Sequence, residues 1–151
     1  MKKIAKFFGV FAGALIVGGC GGKDIGLRED GLAPCPNSSN CVSSQAADEK
    51  HRIAPLTYKG SRAEALEKLN EIVANMDRAT IITDTEYYLH AEFRSRWFKF
   101  VDDVEFWMPD DKAIIHIRSA SRVGYSDFGV NRKRAERIRA SITSSVSSQE
   151  D

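Results

Sequence analysis

Arginine, hydroxyl, glycine and carboxylate side chains crowd into one stretch, Arg118-Ser119-Ala120-Ser121-Arg122-Val123-Gly124-Tyr125-Ser126-Asp127-Phe128-Gly129-Val130-Asn131-Arg132. Connections between elements carry function more often than the scaffold that holds them. Arg118, Arg122 and Arg132 offer forked donors that match a phosphate or carboxylate, and Ser119, Ser121, Ser126 and Asn131 add neutral hydrogen bonds. Those residues define a candidate site for a phosphate, a carboxylate or a lipid headgroup. Upstream, Asp102 interrupts an apolar strand face beside Asp103. A buried carboxylate with a raised pKa can transfer protons, so this pair defines the alternative, a hydrolase-type enzyme acting on an anionic envelope substrate.

Arg132, Lys133 and Arg134 open the last helix-like run, where cations oppose the positive end of the helix dipole. Such a conflict is either compensated by acids or used to hold an anion. Asp102, Asp103, Asp127 and Glu136 are the acids within reach in sequence, and arginine pairs with carboxylates bidentately. Bracing by these acids is the structural alternative to an anion site. Catalytic signatures are missing. His51, His90 and His116 have no triad or metal-ligand spacing. Ser126 lies outside a G-x-S-x-G elbow, and Gly124-Tyr125 lead to no phosphate cradle. No metal and no cofactor is expected, and binding or scaffolding is preferred to catalysis.

The elements that would position these residues follow from periodicity. Ser61-Arg62-Ala63-Glu64 has the capping-box pattern, and Ala65, Leu66, Leu69, Ile72, Val73 and Met76 continue at helical spacing. Pro55 confines any strand over 53–59 to an edge. Strands are predicted over 79–85, 87–94 and 98–108, the last with Phe98, Phe100, Val104, Phe106 and Met108 on one face. Pro109-Asp110-Asp111 turns the chain into Ala113, Ile115, Ile117 and Ser119. A turn centred on the aspartates would place Phe106 opposite Ile115, Val104 opposite Ile117, Asp103 opposite Arg118 and Asp102 opposite Ser119, keeping the apolar faces together. A closing helix from about Asn131 to Thr143 would bury Ala135, Ile138 and Ile142. The class expected is α+β: a single antiparallel sheet of four to five strands covered by two helices, with an N-terminal disulfide loop.

The N-terminus is an address. Lys2, Lys3 and Lys6 precede an apolar run over Phe7–Val17 that is too short for a comfortable membrane span. Val17-Gly18-Gly19-Cys20 then resembles the lipobox of bacterial lipoproteins, in which the peptide is cut before a cysteine that carries diacylglycerol. The domain organisation expected is a signal peptide over 1–19, lipidated Cys20 and a tether over 20–33, one α+β domain over 34–143, and a frayed tail over 144–151. A lipid anchor makes the membrane a partner, with an envelope ligand or protein beyond it. Gly21, in place of an aspartate, resembles the pattern for outer-membrane sorting, so the location expected is the bacterial envelope, periplasm-facing.

Net charge is +1, and removing 1–19 leaves 19 basic residues (22 less the three lysines) against 21 acidic, a charge of −2. Nucleic acid is therefore not an expected partner. With Cys20 assigned to lipid, Cys35 and Cys41 remain as an even pair around Pro36-Asn37-Ser38-Ser39-Asn40, and export makes a disulfide the default. A thioredoxin-like pair would have fewer residues between the cysteines, and a zinc site would need further ligands.

Cys35-Pro36 through Asn40-Cys41-Val42-Ser43-Ser44, Phe100-Val101-Asp102-Asp103-Val104-Glu105-Phe106, and the arginine stretch over 118–132 together resemble the domain-of-unknown-function (DUF) family 1499. The likeness runs from about Leu32 to Ala140. The family has no established activity to carry over. The resemblance implies that the cysteine pair, the Asp102-Asp103 strand and the arginine loop form one set, in envelope or membrane-associated proteins.

Overall fold

Ser61 caps the first helix as its sequence requires. Its hydroxyl accepts from Glu64 N while the Glu64 carboxylate accepts from Ser61 N, the reciprocal pair of a capping box. Helix α1 runs Arg62–Ala74 and buries Ala65, Leu69 and Val73 on one stripe. This computed structural model describes residues 24–147, the side chains of 144–147 excepted. The expected signal peptide over 1–19, Cys20 with the start of the expected tether, and residues 148–151 lie outside the described residues.

Eight strands accompany two helices among the described residues: β1 (Leu27–Arg28), β2 (Gly31–Leu32), β3 (Cys41–Ser43), β4 (Leu56–Thr57), β5 (Ala79–Asp84), β6 (Tyr88–Arg94), β7 (Val101–Trp107) and β8 (Ile114–Ser121), with α2 over Val130–Ser147. The class is α+β, but the main sheet has six strands rather than four to five. Its order is β3-β8-β7-β6-β5, with β4 pairing a further part of β8 and every named strand pair antiparallel. β1 and β2 form a separate two-stranded hairpin. The apolar cluster joins Leu89, Ala91, Phe93, Val104, Phe106, Ile115 and Ile117 of the sheet to Leu69 and Val73 of α1 and Ala135, Ile138 and Ile142 of α2. Both helices therefore cover one sheet face.

Four further expectations need correction. The β7–β8 register is displaced by two residues: Phe106 opposes Ile117, Val104 opposes Ser119 and Glu105 opposes Arg118. The connection is wider than a tight turn at Asp110-Asp111, and a two-residue slip keeps every side chain on its face. Phe98 and Phe100 do not join the core face; they are exposed in the turn before β7, because the strand begins only at Val101. The closing helix continues to Ser147, so 144–147 are helical rather than frayed.

The last correction concerns the tether. Part of it is the β1–β2 hairpin, which lies over the sheet face away from the helices. Leu32 and Ala33 are buried, and Leu32 N donates to Gln45 Oε1 at 2.9 Å. Gly31 sits at φ +117, where a Cβ would come within 2.7 Å of the Trp107 ring. Only glycine fits that contact. Gly31→Ala is expected to lower the unfolding free energy by more than about 1 kcal/mol in a urea titration. Unchanged stability would mean that 24–33 is a loose tether after all.

Candidate functional site

Strand alternation sends Asp102 and Asp103 to opposite faces of the sheet. Asp102 faces the helices. Arg134 Nη2, from the first turns of α2, donates to Asp102 Oδ2 at 2.6 Å. The same guanidinium donates to Asn131 Oδ1 at 2.8 Å and Ser119 Oγ at 3.1 Å. It also stacks over the Phe93 ring at 4.6 Å from the centroid, a favourable cation–π position.

Asp103 faces the other way and is 1% exposed. Arg122 grips it with Nε on Oδ2 and Nη2 on Oδ1, both at 2.8 Å, and His90 Nε2 lies 2.9 Å from Oδ1. Arg122 Nη2 also meets Glu92. Burial works to raise the Asp103 pKa, but the hydrogen bonds and charges of Arg122 and His90 outweigh it and hold the carboxyl well below the usual range. The hydrogen bond to Asp103 in turn raises the Arg122 pKa.

Beside this cluster, Glu105 is fully buried. Arg118 Nη1 donates to Glu105 Oε2 at 2.9 Å and Tyr88 Oη to Oε1 at 2.8 Å. Gly26 N, leading into β1, donates to Oε1 as well. Burial, then the Glu105 charge, raises the Tyr88 pKa and keeps the phenol protonated. Arg118 Nε is buried without a hydrogen-bond partner among the described residues.

The remaining loop residues build the start of α2. Asp127 Oδ1 accepts from Gly129 N at 2.9 Å and Oδ2 from Asn131 N at 2.8 Å. A carboxylate thus occupies the positive helix end that Arg132, Lys133 and Arg134 would otherwise worsen. Arg132 donates to the carbonyls of Arg52 and Lys50, each at 2.9 Å. Ser119 Oγ donates to Asn131 Oδ1, and Asn131 Nδ2 lies 3.0 Å from Ser121 Oγ.

Cys35 and Cys41 are joined by a disulfide. Inside that small ring, buried Asn40 donates through Nδ2 to Gly124 O at 2.6 Å, and its own carbonyl accepts from Asn131 Nδ2 at 3.1 Å. His51 Nε2 lies 2.7 Å from Ser38 O, closing the loop from its other side. The cysteine ring, the Asp102-Asp103 strand and the arginine loop are therefore one contiguous assembly.

Arg118, Ser119, Ser121, Arg122, Asn131, Arg132, Asp102, Asp103 and Asp127 lie in this assembly, but the arginines face carboxylates and carbonyls of their own domain. Glu136 pairs with Arg139 instead, and Ser126 Oγ accepts from Phe128 N within its own turn. Arg118 pairs with Glu105 rather than Asp103, and Ser119 contacts Asn131 and Arg134 rather than Asp102. Glu92, His90, Tyr88, Glu105 and Asn40 are participants that sequence reasoning did not assign, whereas Arg134 meets Asp102, one of the acids expected to compensate it. Strand alternation was the available signal for Glu105, which shares a face with Asp103. Among the described residues, no group of three or more His, Cys, Asp and Glu side chains could hold a metal ion.

These features define an α+β domain whose sheet carries an internal charge network on the face away from its helices. The chain belongs to the family described as Protein of unknown function (DUF1499), whose model matches residues 31–142. No curated protein and no solved structure matches it.

Removing one partner of a buried ion pair strands the other charge, so Asp103→Asn is expected to cost about 3–5 kcal/mol in chemical denaturation at neutral pH. The folded Asp103 pKa is depressed, so its stabilisation is complete above the unfolded value of about 3.9 and fades as pH falls below it. The gap between wild type and Asp103→Asn should therefore narrow in acid. A gap constant with pH would count against an ionised Asp103.

Proposed function

We propose that the chain is a lipid-anchored protein of the bacterial cell envelope whose domain is a rigid, non-catalytic binding or scaffolding module. The ordered succession of Lys2, Lys3 and Lys6, an apolar run and Val17-Gly18-Gly19-Cys20 supports the anchor. The Cys35–Cys41 disulfide supports an oxidising compartment, since such bonds persist outside the cytosol. Gly21 supports the outer membrane over the inner.

One observation carries the non-catalytic half. Asp103, the carboxylate that an anion-processing hydrolase would use, is held ionised by Arg122 and His90 and is nearly inaccessible. A general acid or base needs a pKa near the working pH and a path to substrate. Asp103 has neither, and Asp102 is committed to Arg134. A second reading keeps a phosphate, carboxylate or headgroup site at Arg118, Ser119, Ser121, Arg122, Asn131 and Arg132. Arg118 Nε favours it, because that buried donor has no acceptor among the described residues.

Metabolic labelling with an alkyne fatty acid tests the anchor. Label and membrane retention are expected in the wild type and should be lost in Cys20→Ala. Equal retention and equal label in both would overturn lipidation. For the second reading, inorganic phosphate is expected to leave the melting temperature of the wild type unchanged. A phosphate-dependent rise that Arg118→Lys abolishes would replace bracing with binding.

A further inference from the structure

One end of the main sheet carries a surface that neither the core nor the charge network uses. Arg94 opposes Val101 and Asp102 opposes Ser121, so the 95–100 turn and the start of the 122–129 loop leave the sheet at the same end. Arg122 N donates to Val101 O at 3.0 Å and ties the two connections together. The turn presents Trp97, Phe98 and Phe100, and the loop presents Val123, Tyr125 and Phe128. All are exposed, Trp97 at 81% and Phe128 at 90%. So many large apolar side chains in water at one end mark an interaction surface rather than scattered exposure.

Backbone geometry adds to this. Lys99 and Phe128 both adopt left-handed conformations, at φ 52 and φ 53. That region is unfavourable for bulky residues and clusters at functional sites. Both lie in the two exposed connections, one in each.

Charge selects the partner. Residues 95–100 contain Arg96 and Lys99 and no acid, Arg94 before them being paired with Glu92 at 2.7 Å, although the chain beyond residue 19 has a net charge of −2. Arg96 lies over the Trp97 ring at 5.5 Å and Lys50 over Tyr125 at 6.0 Å. Lys133 is exposed in the first turn of α2. A second copy of this chain in a two-fold interface would set these cations against themselves. Anionic headgroups would complement them, and aromatic rings with a polar or cationic neighbour suit the headgroup boundary.

We propose that this end of the domain docks on the anionic surface of a lipid bilayer. Trp97, Phe98 and Phe128 enter the headgroup boundary, and Arg96, Lys99 and Lys133 meet phosphates. The inference rests on the anchored reading above, which places the domain beside a bilayer. It adds an orientation: the aromatic end faces the membrane, and the 85–87 and 108–113 connections at the other end of the sheet face away.

The sequence has two tryptophans, Trp97 and Trp107, so Trp107→Phe leaves Trp97 as the reporter. The processed full-length protein with that change is reconstituted into vesicles of phosphatidylcholine and phosphatidylglycerol, with or without acyl-brominated lipid. Trp97 emission is expected to shift to the blue and to be quenched by the brominated lipid. Both effects should weaken in vesicles of phosphatidylcholine alone and in the Phe98→Ser, Phe128→Ser variant. Ile82→Ser, an exposed apolar residue on β5, should leave them unchanged.

Protein that floats with the vesicles while its Trp97 emission stays unquenched overturns docking and leaves the anchor standing. Protein that does not float overturns both. A dimer in sedimentation equilibrium that Phe98→Ser and Phe128→Ser dissociate would assign the surface to a second copy and overturn the bilayer.

Discussion

Two adjacent aspartates on β7 hold this domain in register. Because strand side chains alternate, Asp102 reaches toward α2 and Asp103 toward the opposite face. Neither carboxylate can be buried alone without a large desolvation cost, so each requires a cation. Both cations come from the chain that follows β8. Arg134 meets Asp102 and Arg122 meets Asp103, so one connection is fastened on both sides of the same strand. With those ends fixed, Asp127 and Asn131 can order the start of α2, and Asn40 can dock the disulfide ring against Gly124.

The face carrying Asp103 is not the solvated face that an antiparallel sheet usually offers. Glu105, Arg118 and His90 are as buried as the hydrophobic core, beneath a hairpin whose leading Gly26 amide reaches Glu105. Buried ion pairs contribute little net stability compared with apolar packing, and their best-attested use is to specify one arrangement. Here they specify a loop geometry. The same rigid connection displays Tyr125 and Phe128 to solvent, so internal bracing and an outward-facing surface are two sides of one segment.

Much of this was legible in the chain, and the misses have physical causes. The capping box at Ser61 and the spacing of Leu69 and Val73 specify α1 locally, so α1 was readable. The apolar stripe Ala135, Ile138 and Ile142 gave α2 in the same way. The partners of Arg118 were misassigned because a two-residue slip leaves face alternation intact, and only the width of the 108–113 connection decides between registers. Phe98 and Phe100 continue the alternation of β7 past the point where the strand starts, and periodicity alone cannot see that boundary. The β1–β2 hairpin has no hydrophobic period, since backbone contacts to Gln45 and Glu105 help to hold it over a polar face. β3 is too short, at three residues, to show any period.

The central claim is that the arginine loop is an internal brace, and a double-mutant cycle between Asp103→Ala and Arg122→Ala tests it most directly. Residues in contact typically couple by about 0.5–3 kcal/mol, and a bidentate buried pair belongs at the upper part of that range. The expected result is that the second substitution costs much less once the first is made. Costs that simply add, to within about 0.5 kcal/mol, would show that Arg122 and Asp103 do not depend on each other and would contradict the brace.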